Sequence, residues 1–207
     1  MVRRLLFAPL ALLLSSNVAS ADPESAWIVN GDTELGFDSA VALGVQYGDT
    51  NLSVCSGNLI TPSIILSAGH CGDGVSLELV VSAGKAFFGV DVDDPDDVMG
   101  FVDMEIHPDY VPLESGFGGS LGEYDFGILE LDGVALAEPT WFRRDDVTED
   151  DIGVTMHSVG YGATSGSGQG SGTRRSTDLV LDEVDEMFLI ANTSGSSEDG
   201  QICSGDS

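Results

Sequence analysis

Apolar residues in this chain come in short, β-branched runs, among them "SIILSAG" at 63–69, "LELVVSAG" at 77–84 and "FGILEL" at 126–131. Turn-forming residues break the sequence roughly every ten positions, and glycine alone accounts for 27 of the 207 residues. Runs this brief cannot supply the long apolar stripe of a packed helix, but they suit strands buried on one face. The expected class is all-β, a sandwich or barrel, with all three runs read as strands.

Not every residue belongs to that fold. The opening "MVRRLLFAPLALLLSSNVASA" has two arginines, an apolar run from Leu5 to Leu14, and Ala19-Ser20-Ala21. This is the layout of a secretory signal peptide, residues 1–21, whose apolar run is too short to span a bilayer. The next six residues, 22–27, read as a propeptide. The expected location is outside the cell, secreted or periplasmic.

The formal net charge is −28, with 35 acidic and 7 basic residues. Arg3 and Arg4 leave with the signal peptide, which makes the mature chain more acidic still. Such a surface repels nucleic acid and anionic membranes, and neither is an expected partner. It also suits a salty medium, where counterions screen the self-repulsion.

Three cysteines in an exported chain imply one disulfide and one cysteine left over. Cys55 and Cys71 frame "CSGNLITPSIILSAGHC", and closing that loop would stabilise the fold by about 3 kcal/mol. Cys203 pairs between chains, stays free, or has its partner on a missing part of the chain.

Three segments carry chemistry when read together: "ILSAGHC" with His70 at a strand end, "EYDFGILEL" with Asp125 before another strand, and the terminal "CSGDS" with Ser207. A serine hydroxyl is a poor nucleophile until a base removes its proton. An imidazole does this near neutral pH, and a carboxylate on its far nitrogen fixes the tautomer.

With these neighbours and in this order, the chain resembles the trypsin/chymotrypsin-type serine peptidases from Ile28 to Ser207. The resemblance rests on "IVNGDTE" at 28–34, the cysteine-framed histidine segment, "EIHPDY" followed by "YDFGILEL", "VGYG" at 159–162, and "CSGDS". It implies two antiparallel six-stranded β-barrels, the first over about 28–131 and the second, incomplete, over about 145–207. It implies a secreted, monomeric endopeptidase acting on proteins or peptides without a required cofactor. His70 would be the general base, Asp125 its orienter and Ser207 the nucleophile, with the N–H groups of Gly205 and Ser207 as the oxyanion hole. Ile28, freed by a cut after Trp27, would pair its ammonium with Asp206 in a zymogen switch. Gln201 would stand in the specificity pocket, where trypsin-like members carry an Asp. In the family the serine motif continues Gly-Gly-Pro, so the chain reads as cut at its nucleophile, and the truncated form is expected to be inactive.

The densest acidic stretch, "DVDDPDD", holds Asp91, Asp93, Asp94, Asp96 and Asp97. Its position resembles the calcium loop of some family members, while the plainer reading is a solvated acidic loop. His107 and His157 read as structural or exposed. The Gly/Ser-rich "ATSGSGQGSGTRRST" reads as a flexible loop that exposes Arg174-Arg175 to nicking. Two other functions fit the sequence: an inactive homologue that binds proteins, and an acidic calcium-binding surface β-domain.

Overall fold

The computed structural model describes residues 31–112, 122–164, 169–185 and 189–192. The signal and propeptide segments, Ile28, Gln201, Cys203, Gly205, Asp206 and Ser207 lie outside the described residues.

The described chain opens with a two-residue strand, β1 (Asp32–Thr33), followed by the hairpin of β2 (Ala40–Tyr47) and β3 (Thr50–Thr61). The hairpin turns through Gly48, whose φ of +60° suits a residue without a Cβ. Opposite Leu43/Gly44 the register shifts by one, which leaves Val54 as an extra residue that bulges and bends β3. A Cβ on Gly44 would lie 1.8 Å from the Leu52 carbonyl oxygen, so glycine is required there. β4 (Ile64–Ser67) follows, then helix α1 (Leu77–Ala83), β5 (Gly84–Phe88), β6 (Asp97–Met99) and β7 (Phe101–Ile106). A small ladder joins β8 (Val111–Pro112) to β9 (Gly122–Glu123), and β10 (Gly127–Leu131) completes this half.

The seven-stranded sheet runs β6-β5-β2-β3-β4-β10-β7, antiparallel at every pairing. Its two end strands, β6 and β7, are separated only by Gly100. They act as one interrupted strand, and the sheet curls back on itself as a barrel. The alternation in "GILEL" places Gly127, Leu129 and Leu131 inward and Ile128 and Glu130 outward. Inside, Val41, Leu59, Ile65, Phe88, Phe101 and Leu129 form the core.

One of the three runs read as strands is a helix. Leu77–Ala83 winds because the Ser76 hydroxyl accepts from Leu79 N–H at 3.2 Å, and Glu78 sits in the positive first turn. Seven residues make two turns, too few for a helical period to stand out from a β-branched run.

The second sheet contains β11 (Thr155–Gly160), β12 (Arg175–Val184) and β13 (Leu189–Asn192), in the order β1-β12-β11 with β13 also on β12. Asp32 pairs with Ser176 and Thr33 with Arg175. The start of the stretch assigned from sequence to the first barrel is thus hydrogen-bonded into the second sheet. The chain is all-β in both sheets. Tyr161, 1% exposed, joins them: it packs with Ala40, Ala42, Phe87 and Val92, and its N–H donates to Ser56 Oγ at 2.9 Å. Its hydroxyl faces the carbonyls of Ala40 and Gly89.

Candidate active site

β10 lies antiparallel beside β4, with Gly127 opposite Ser67. A residue just after β4 and one just before β10 therefore emerge at the same end of neighbouring strands. His70 is three positions past Ser67, and Asp125 two before Gly127.

Each is held by its own backbone. His70 sits in a 3-10 turn, Gly69–Cys71, closed by Cys71 N–H to Ala68 O at 3.3 Å and Gly72 N–H to Gly69 O at 3.0 Å. The Cys55–Cys71 disulfide ties this turn to β3 across a Cα separation of 6.3 Å. Asp125 follows Tyr124, whose φ of +53° is uncommon for a residue with a Cβ. The ring of His107 stacks on Tyr124 with centroids 5.0 Å apart and tilts against Phe126 at 4.5 Å. His107 N–H also donates to Phe126 O at 3.0 Å. His107 thus braces both neighbours of Asp125, which is the structural one of its two sequence readings.

The carboxylate of Asp125 grips His70 at two points. Oδ1 accepts the His70 backbone N–H at 2.7 Å, and Oδ2 lies 2.8 Å from Nδ1. The side chain of His70 is 20% exposed and that of Asp125 16%, so water is mostly excluded. A carboxylate at Nδ1 holds the proton there and leaves the Nε2 lone pair available as a base. Gly69 allows this approach: a Cβ there would sit 3.2 Å from Asp125 Oδ1 and 3.3 Å from Phe126 N. Tyr110 has a buried hydroxyl without a described partner. Burial, then the negative charges of Asp125 and Asp73, hold that phenol above its ordinary pKa. Beside Asp125 a cavity of about 570 Å³ is walled by Ser56, Leu66, Trp141, Phe142 and His157.

No three of the five aspartates of 91–97 bring their carboxylate oxygens together. Asp91 accepts from Asp93 N–H at 2.9 Å and from the Thr173 hydroxyl at 2.9 Å, and Asp97 accepts from Val98 N–H at 2.8 Å. Among the described residues, the one cluster of potential metal ligands is Cys55, His70 and Cys71. Its two sulfurs are bonded to each other and cannot serve.

Arg174 overturns the picture of an exposed arginine pair. It is 1% exposed, and its guanidinium donates to Glu34 O at 3.1 Å, Phe37 O at 3.2 Å and Asp38 Oδ1 at 3.2 Å. Arg175 donates to Gly170 O at 2.7 Å. The acceptors of Arg174 lie far back in the sequence and two are main-chain atoms, so no residue pattern announced them.

Residues 28–207 match the family model for trypsin. The chain belongs to the trypsin family. An ovochymase of Halocynthia roretzi is 30% identical over 96 residues, which make up 46% of this chain and 6% of that protein. The chain thus spans a small part of the length of this curated relative. Within this trypsin-family chain, the histidine and aspartate segments singled out from sequence are the two that meet in space.

Proposed function

We propose that the full-length protein acts as an exported serine endopeptidase in which Ser207, His70 and Asp125 form the catalytic triad. The observation that carries this reading is the double grip of Asp125 on His70. An imidazole fixed in one tautomer, with Nε2 unbonded by any described residue, is a general base awaiting an alcohol.

The Ser207 hydroxyl attacks the carbonyl carbon of a peptide bond while His70 Nε2 takes its proton. The carbonyl π pair moves to oxygen, where the N–H groups of Gly205 and Ser207 hold the oxyanion. The imidazolium then gives the proton to the leaving nitrogen, and the C–N bond breaks to leave an acyl-serine. Water, deprotonated by the same imidazole, releases the acid. Asp125 stays ionised and steadies the imidazolium. A signal peptide at 1–21 exports the protein, and removal of 22–27 frees Ile28 to pair with Asp206. Gln201 gives a specificity pocket without the carboxylate that selects Lys or Arg. The substrates are proteins or peptides, met by a monomer, and the reaction requires no cofactor.

A fluorophosphonate probe applied to the full-length protein tests this. Labelling at Ser207 that disappears in His70→Ala supports the peptidase. A folded full-length protein that is never labelled would be a binding homologue instead.

A further inference from the structure

His157 is exposed, with 39% of its side chain open to solvent, as one of its two sequence readings had it. It projects from β11 between two carboxylates that come from different parts of the fold. Nδ1 is 2.7 Å from Asp178 Oδ1, directly across the ladder on β12. Nε2 is 3.3 Å from Glu34 Oε2, on the strap that follows β1. Its ring also lies 5.0 Å from that of Phe37, further along the strap. Glu34 is itself fixed: Oε1 accepts from Gly36 N–H at 2.7 Å and Oε2 from the Ser176 hydroxyl at 2.9 Å.

A neutral imidazole has one N–H. With a carboxylate at each ring nitrogen, only the imidazolium can donate to both. A neutral ring must present a lone pair to one of the two anions, a repulsive contact. We propose that His157, Glu34 and Asp178 form a proton-operated clasp that holds the amino-terminal strap, residues 32–38, against the second sheet.

The groups facing the ring are Asp178 from β12 and Glu34 from the strap. Arg174, the residue just before β12, is turned to Asp38 and two carbonyls of the strap. The hydrogen bond to Asp178 is the largest effect on the imidazole; burial, the next largest, opposes it, and the bond to Glu34 adds to it, so the ring is held above its ordinary pKa. The sign follows: with its folded pKa raised, the ring's contribution is complete below the unfolded value. It is lost as pH rises through the folded one. The clasp is closed in acid and loosens toward alkaline pH.

The test is hydrogen exchange of the 32–38 segment on the full-length protein across pH 5.5 to 8.5, corrected for intrinsic exchange. The expected result is a loss of protection of about two- to five-fold with rising pH, the range that a half-exposed ion pair supports. In His157→Gln that pH dependence should vanish, and in Glu34→Gln it should shrink. Proton NMR of His157 in the unmutated protein supplies a readout that does not depend on a variant folding. A ring that titrates above free histidine fits the clasp. An ordinary or lower titration point, or the same pH profile in His157→Gln, overturns it.

Discussion

Replacing Arg174 by methionine would remove a guanidinium while leaving a side chain of similar length to fill its channel. The structure divides the expected loss unevenly. Asp38 is 72% exposed, so its carboxylate returns to water and its share is small. The carbonyls of Glu34 and Phe37 lose charged donors at 3.1 and 3.2 Å, and such bonds are worth about 1.5–3 kcal/mol each. Taking the lower figure, because the strap can lift and hydrate them, gives a destabilisation of about 3 kcal/mol. Urea unfolding at neutral pH measures it, read as a lower midpoint with the slope unchanged. Asp38→Asn, which spares both carbonyl bonds, should lose less than about 0.5 kcal/mol. If Arg174→Met stays within about 1 kcal/mol of the parent, or Asp38→Asn matches it, the buried guanidinium is not what fastens the strap.

Tyr161 supplies an alkaline prediction. Burial, only partly offset by Arg174, pushes its phenol up to about 12. A raised folded pKa means stability is complete below the unfolded value near 10 and falls away up to about 12, by about 3 kcal/mol. Unfolding midpoints compared between pH 8 and 11.5 should therefore fall more for the parent than for Tyr161→Phe, and parallel curves would contradict the assignment. Asp125→Asn should leave the fold intact, because an amide oxygen can still accept the His70 N–H. With the amide nitrogen facing Nδ1, however, the ring's proton moves to Nε2. The rate of fluorophosphonate labelling should then drop by about 10⁴-fold, and a drop under tenfold would argue against Asp125 as orienter.

His70 and Asp125 were legible because each stands at the end of a short apolar strand with informative neighbours: Cys71 beside one, "GILEL" after the other. The β-barrel was legible for a related reason, since alternation in Leu129 and Leu131 is a property of the residues themselves. What escaped was set by partners rather than pattern. Arg174 bonds to carbonyls that any residue could offer, and β1 is too short to have a period. His157 gains its two carboxylates only when β12 and the strap close around it. Ser76 did hold a readable sign of α1, a cap before Leu77, but the β-branched valines behind it pointed the other way.

Both the imidazole of residue 70 and the carboxylate that orients it are supplied by the sheet that closes through Gly100, within residues 40–131. A chain made from its amino end delivers every strand of that sheet before β11 emerges. The imidazole and its carboxylate can be assembled early in synthesis, so that the second sheet docks onto a pairing already in place.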